Sequence, residues 1–243
     1  MFHFKHFSLY HENSALKIST DAVLLAASTP VSGVQSLLDI GCGCGVIAFC
    51  LAWKMQQERG REISRQEIIG IDIDKDSVDE ALKNLEFFPK KEGQHITFRQ
   101  QRIQDFAQER QEKFDLIVSN PPFFVDSLKP NTAQKNVSKH NDNLPFEDLR
   151  DVVTRLLNPQ GSFYLILPTN ESERFEQISH GYLSKNHQLL IQPTPSKPVN
   201  RLITRYSLSP SPLPCHTSSL CLRDTNGNMS QDYRQLTEEF LIK

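Results

Sequence analysis

Acidic residues are missing from the whole stretch between Glu176 and Asp224, although the chain carries a formal charge of only -2. Lys185, Lys197, Arg201, Arg205 and Arg223 remain there without acidic neighbours in sequence, so a near-neutral total conceals a basic surface beside an acidic body. No window approaches the roughly 20 apolar residues of a membrane span, and no N-terminal apolar run has the length of a signal peptide. The expectation is a cytoplasmic protein with no membrane contact. Cysteine is sparse: five residues at 42, 44, 50, 215 and 221, an odd number whose spacing repeats no disulfide or metal framework. Cys42 and Cys44 form a Cys-x-Cys pair, but no histidine is near in sequence to complete four ligands, so reduced thiols and no metal are expected. Internal repeats and domain linkers are also lacking. At 243 residues the chain can bury one substantial core without such staples, which predicts a single domain over 1–243.

From Ser36 onward, short β-branched runs alternate with longer periodic segments, the pattern of an α/β fold with a mostly parallel sheet covered by helices. Strands are expected at 37–40, 67–72, 96–99, 114–119 and 162–167, and helices at 46–55, 75–87, 146–156 and 171–182. Proline-rich turns then separate 188–192, 202–208 and 218–222, which read as late antiparallel strands at the sheet edge, before a closing helix at 233–240.

The first chemistry-bearing motif is Asp39-Ile40-Gly41-Cys42-Gly43-Cys44-Gly45, a glycine turn between a strand and a helix. Glycines at 41, 43 and 45 let backbone approach a ligand closely. Their Gly-x-Gly-x-Gly spacing differs from the dinucleotide fingerprint Gly-x-Gly-x-x-Gly. Asp39 would repel a pyrophosphate and attract a sulfonium or ammonium, which points to S-adenosylmethionine. Asp72, ending the second strand, can bind both ribose hydroxyls, with Ile73 covering a face of adenine. The competing reading of Asp72 is a helix cap, a role Asp74 fits better. Asp105, after the third strand, can accept from the adenine amino group, with Arg102 competing for that rim.

The second motif is Asn120-Pro121-Pro122-Phe123, directly after the apolar run 114–119. The Asn120 side-chain carbonyl and the Pro121 backbone carbonyl can hold the two hydrogens of an exocyclic amine. Phe123 can stack on the ring that bears them, with Pro122 beside it on the substrate side. Alone, Asn-Pro-Pro could be only a strand-terminating turn. Lying about 75 residues beyond the glycine turn, it completes an amino-group methyltransferase, with Asn120 bordering the cofactor as well as the substrate. Methyl transfer from a sulfonium needs approach geometry and neither metal nor nucleophilic residue, so Asn120 is a positioning and electrostatic group. Residues 124–143, with Lys129, Lys135, Lys139 and His140, are too long for an ordinary connection and read as a substrate loop.

These two motifs resemble the class I S-adenosylmethionine-dependent amino methyltransferases, which act on adenine, cytosine or glutamine side chains. More narrowly, Phe4-Lys5-His6-Phe7, His11, Lys17-Ile18-Ser19-Thr20-Asp21-Ala22-Val23-Leu24-Leu25-Ala26-Ala27, Asn200-Arg201-Leu202 and Tyr233-Arg234-Gln235-Leu236-Thr237 resemble the bacterial tRNA1(Val) adenosine-37 N6-methyltransferase family. The resemblance implies a class I Rossmann-like fold with a seven-stranded sheet. It implies methylation of N6 of the adenosine beside the anticodon, tRNA as partner, and no obligate protein partner. It also implies that segment 1–30 covers the cofactor, with Lys17, Thr20 and Asp21 helping to close the pocket. Two residues depart from the family pattern: Ser19 stands where glycine usually precedes Thr-Asp, and Arg102 where an acid usually follows the third strand. Lys197 and Arg201, with the lysines of 124–143, are expected to hold RNA phosphates. Glutamine N5-methylation in a protein suits the same Asn-Pro-Pro pocket. DNA methylation lacks a recognisable target-recognition domain. A non-catalytic RNA-binding module is opposed by the intact Asp39, glycines and Asn120.

Overall fold

Runs such as Ile68-Ile69 and Leu116-Ile117-Val118 are buried on both sides, the behaviour of central parallel strands sandwiched between helices. The computed structural model describes residues 1–58, 65–122, 144–208 and 214–242. Its elements in chain order are β1 (Phe2–His3), β2 (Ser8–Leu9), α1 (Thr20–Ser28), β3 (Ser36–Ile40), α2 (Val46–Gln57), β4 (Gln66–Asp72), α3 (Lys75–Phe87), β5 (Gln94–Gln100), α4 (Ile103–Glu109), β6 (Phe114–Ser119), α5 (Phe146–Leu156), β7 (Leu157–Pro168), α6 (Thr169–Ser179), β8 (Leu183–Gln192), β9 (Arg201–Leu208), β10 (His216–Cys221) and α7 (Gln231–Thr237).

The main sheet has the order β10-β8-β9-β7-β6-β3-β4-β5. Parallel pairs join β7, β6, β3, β4 and β5, and β9 runs antiparallel to both β7 and β8. All eight strands read along the sequence are present, one more than the seven-stranded sheet the resemblance implies, and β10 lies outside β8. It pairs in parallel with β8, where the sequence suggested an antiparallel strand. The reason is positional: β10 reverses direction after β9 but lies beyond β8, which had itself reversed before β9, and two reversals restore the direction.

Strand residues divide by parity between two cores. Leu37, Ile68, Leu116 and Val118 pack with α1, α2, α3 and α7, while Leu38, Ile69, Ile71 and Ile117 pack with α4, α5 and α6. Helix α4 is an element that the sequence pattern did not suggest, and it buries Ile103, Phe106 and Ala107. Helix α1 buries Ala22, Val23, Leu24, Leu25 and Ala26, so it carries no polar stripe by which to recognise it. Ser19 Oγ caps it by accepting from the Ala22 amide at 3.2 Å, and Lys54 Nζ, from α2, donates to Ala26, Ala27 and Thr29 carbonyls at 3.2, 3.0 and 2.6 Å.

Strand order turns away in both directions from β3, toward β4 on one side and β6 on the other. A switch point of this kind opens a crevice at the carboxyl ends of the strands. Ile40 lies opposite both Ile71 and Ser119, so the segments leaving β3, β4 and β6 emerge side by side at that edge.

Candidate active site

The turn after β3 is pinned to the end of β4: the amides of Gly41 and Cys42 both donate to the Ile71 carbonyl, at 2.8 and 3.1 Å. Gly41, Gly43 and Gly45 have φ of 72°, 54° and 85°, the left-handed region that side chains disfavour. Gly45 is also closely packed: a Cβ there would stand 2.7 Å from Phe49 and 2.8 Å from Phe98. A Cβ on Gly41 would meet nothing within 4 Å, so this part of the turn faces open space.

Asp39 is fully buried, and its Oδ2 accepts from the Ala48 amide in the first turn of α2 at 3.1 Å. Its Oδ1 has no partner among the described residues. Burial pushes the Asp39 carboxyl up to about 7 against the opposing Ala48 hydrogen bond, and the nearby Asp72 charge adds to the rise. Asp72 accepts from Gly43 N through Oδ2 at 2.8 Å and from Asp74 N through Oδ1 at 2.9 Å. Burial also raises its pKa, with those two amides acting in the opposite direction. The cap of α3 is Asp74, which accepts from Ser77 N at 2.8 Å. Ile73, beside Asp72, is 38% exposed, an unusual placement for isoleucine next to a turn of this polarity.

Two carboxyls whose pKa values burial raises, one of them with an orphaned oxygen, thus border an open glycine turn. This donor set fits a cationic ligand without a diphosphate, as S-adenosylmethionine is, and would disfavour a dinucleotide.

On the facing side, buried Ser119 donates from Oγ to the Ile40 carbonyl at 2.8 Å, tying the end of β6 to the end of β3. Asn120 follows half-buried, Pro121 buried and Pro122 exposed. Phe123, Lys129, Lys135 and Lys139, with the whole 124–143 segment, lie outside the described residues. Asp105 is exposed in the first turn of α4, and Arg102 is exposed at that helix's N-cap position. Lys17 is exposed and donates to the Glu12 carbonyl, and Thr20 is exposed at the start of α1. Asp21 and Arg201 are brought together, with Nε to Oδ2 at 2.9 Å, so the N-terminal segment reaches the first residue of β9. Lys197 is exposed on the turn before β9.

The residues that sequence reasoning did not single out are Ser77, Glu80 and Asn84. They are buried on one face of α3 and bond to residues 10–15 of the N-terminal segment. The available signal was their spacing at i, i+3 and i+7, a polar stripe where an amphipathic helix should turn apolar residues inward. Among the described residues, no group of three or more His, Cys, Asp or Glu is arranged to hold a metal ion, and no helix is long and apolar enough to cross a membrane.

Comparison with known proteins agrees with this geometry. Residues 33–210 match the family model described as "Methyltransferase domain". The tRNA1(Val) (adenine(37)-N6)-methyltransferase of Bacteroides fragilis is 34% identical over 244 aligned positions, covering 100% of this chain and 98% of its own. Among solved structures, a predicted O-methyltransferase from Agrobacterium tumefaciens superposes with a TM-score of 0.67 at 15% identity, covering 90% of this chain and 96% of that one. The N-methyltransferase NodS from Bradyrhizobium japonicum, in complex with S-adenosyl-L-homocysteine, superposes at 0.51 with 18% identity, covering 77% and 85%. These two share the fold. The glycine turn at the switch point, the acid ending β4 and the Asn-Pro-Pro after β6 therefore belong to a methyltransferase, and the chain is a member of the tRNA1(Val) (adenine(37)-N6)-methyltransferase family.

Proposed function

We propose that the chain transfers a methyl group from S-adenosylmethionine to N6 of adenosine 37 in tRNA1(Val). The observation that carries this reading is the adjacency of Asn120-Pro121 and the glycine turn, joined through the Ser119 to Ile40 hydrogen bond, in a chain aligned over its full length with that family. The anticodon loop is single-stranded or easily unstacked, which lowers the cost of presenting its base to a pocket.

Asp72 offers both carboxylate oxygens to the ribose hydroxyls, each having lone pairs beyond the amide it already accepts. Ile73 covers the adenine of the cofactor, and the orphaned Asp39 oxygen supplies negative charge toward its cationic end. Asp105 or Arg102 meets the adenine edge. Lys17, Thr20 and Asp21 close the pocket from the N-terminal side. When bound, S-adenosylmethionine supplies a methyl group activated by a positive sulfur. Asn120 Oδ1 and the Pro121 carbonyl hold the two N6 hydrogens, turning the nitrogen lone pair out of conjugation and toward that methyl. Phe123 and Pro122 hold the ring. Bound there, the cofactor would supply the methyl group for the new N–C bond, with the electrons of its S–C bond leaving on the neutral thioether, and the proton that nitrogen gives up would pass to water. Asn120 needs no basicity for this, because its carbonyl stabilises the positive charge developing on nitrogen. Lys129, Lys135, Lys139, Lys197 and Arg201 contact phosphates flanking the target.

The test is incubation of the protein with methyl-labelled S-adenosylmethionine and unmodified total tRNA, followed by nucleoside digestion and mass spectrometry. The reading requires N6-methyladenosine at position 37 of tRNA1(Val). Label in protein and none in RNA would replace it with glutamine methylation.

A further inference from the structure

One buried amide joins the N-terminal segment to the glycine turn. Asn84, on α3, is 1% exposed. Its Oδ1 accepts from Tyr10 N at 2.7 Å, and its Nδ2 donates both to the Tyr10 carbonyl at 2.9 Å and to the Cys44 carbonyl at 3.1 Å. Both donors and the acceptor of the side chain are thus committed, and no other side-chain type presents that set in so short a reach. Along the same face, Glu80 accepts from Asn13 N at 3.1 Å and Ser14 N at 2.8 Å. Ser77 Oγ accepts from Ala15 N at 3.1 Å and lies 2.9 Å from Ser14 Oγ. Ser14 Oγ in turn stands 3.6 Å from the position a Cβ on Gly43 would take. Residues 10–15 therefore form a strap, fastened to α3 and lying against the glycine turn.

Of the three fastenings, only Asn84 also grips the turn itself. Cys44 lies between Gly43, whose amide is held by Asp72, and Gly45, from which α2 begins. Two independent anchors, Asp72 at one glycine and Asn84 at the next residue, thus set the shape of a segment rich in left-handed backbone. A turn of three such glycines is entropically costly to order, and fixed hydrogen bonds from rigid elements are what hold it in one shape.

We propose that Asn84 is a positioning residue for the methyl-donor pocket: it holds the glycine turn and the N-terminal strap in register, and its loss is read in cofactor affinity. This rests on the reading of the glycine turn as the cofactor site. Glu80 fastens the strap alone, so it serves as the internal control.

The experiment uses the full chain, with S-adenosylhomocysteine as the calorimetric probe and tRNA methylation for kinetics. Asn84→Ala should raise the Kd for S-adenosylhomocysteine and the KM for S-adenosylmethionine about tenfold, the effect of losing a buried hydrogen-bond set. Its kcat at saturating cofactor should stay within about threefold of wild type. Glu80→Gln should speed tryptic cleavage after the exposed Lys17 with a smaller change in Kd. Wild-type protein that fails to bind the probe would overturn the cofactor site itself, and this inference with it. Wild-type binding with an unchanged Kd in Asn84→Ala would overturn the positioning role alone, as would Glu80→Gln raising Kd equally. Should Asn84→Ala lose its cooperative melting transition, Asn84→Asp, which keeps an acceptor for Tyr10 N and loses donors when ionised, is judged by the same criteria.

Discussion

Asp72 and Gly43 are joined by a 2.8 Å hydrogen bond from the glycine amide to the carboxylate, so the acid ending one strand shapes the turn leaving its neighbour. Asp72 is consequently both a ligand candidate and part of the scaffold. Asp72→Asn, whose single carbonyl oxygen cannot replace both carboxylate oxygens that accept from the Gly43 and Asp74 amides, should weaken S-adenosylhomocysteine binding at least about tenfold, the usual scale for a charge-assisted hydrogen bond. Isothermal calorimetry checks it, and an unchanged Kd would remove Asp72 from the cofactor site.

Asp39 makes the free protein pH-sensitive. Its carboxyl is raised from 3.8 to about 7, so between those values the folded protein binds a proton that the unfolded chain does not. Its contribution to stability is complete below the lower value and is lost as pH rises through the upper one. Asp72 is raised as well and acts in the same sense. A cationic ligand favours the ionised forms and should bind with proton release, more tightly near about pH 7.5 than near about pH 6. Calorimetry in buffers of different ionisation heat measures that proton. In Asp39→Asn the release should fall and the urea midpoint should vary less with pH.

Asn120→Ala should separate binding from chemistry. Loss of an electrostatic acceptor at the reacting nitrogen costs about 10² to 10³ in rate, whereas cofactor affinity should stay within about threefold. Single-turnover methylation and the Kd for S-adenosylhomocysteine read the two effects. A variant that lost only cofactor binding would contradict the assigned role.

Gly45 and Gly41 should respond differently to alanine. At Gly45 the left-handed backbone at φ 85° combines with contacts at 2.7 and 2.8 Å to two phenylalanine rings, so Gly45→Ala should cost about 2–5 kcal/mol. At Gly41, with φ 72° and open space, Gly41→Ala should cost about 1–2 kcal/mol from backbone strain. Urea denaturation of both variants gives the comparison, and equal losses would show that packing at Gly45 relaxes freely.

Arg201 is engaged by Asp21, which bears on its expected contact with RNA. Arg201→Ala should weaken tRNA binding and reduce its salt slope by about one counterion, while Asp21→Asn, which removes a negative charge from beside the guanidinium, should strengthen binding. The pair is partly exposed, so either change should alter stability by only about 1 kcal/mol. Filter binding across a salt series would exclude Arg201 from the RNA face if neither variant moved.

Helix α3 was readable from sequence to its ends because a local cap, Asp74, begins it and a run of good helix formers continues it. Strand β6 was equally plain as a short apolar run cut off by Asn120 and two prolines. Helix α1 was not, since residues buried on nearly every side leave no period to detect. Nor was α4, because its three buried residues are spread over only seven positions, too few to show a period. The parallel direction of β10 could not be read either, because it depends on which neighbour the strand joins and not on its own residues.

What the sequence determined by itself is local: the glycine turn, the acid ending each flanking strand and the Asn-Pro-Pro follow from backbone preferences of neighbouring residues. Only the tertiary structure decided that Tyr10 meets Asn84, 74 positions away, that Ser119 meets Ile40 across 79, and that Asp21 meets Arg201 across 180. Those pairings, and the burial that raises Asp39, arise when distant segments exclude water together. No pattern within one segment encodes them, because each partner's environment is supplied by the other.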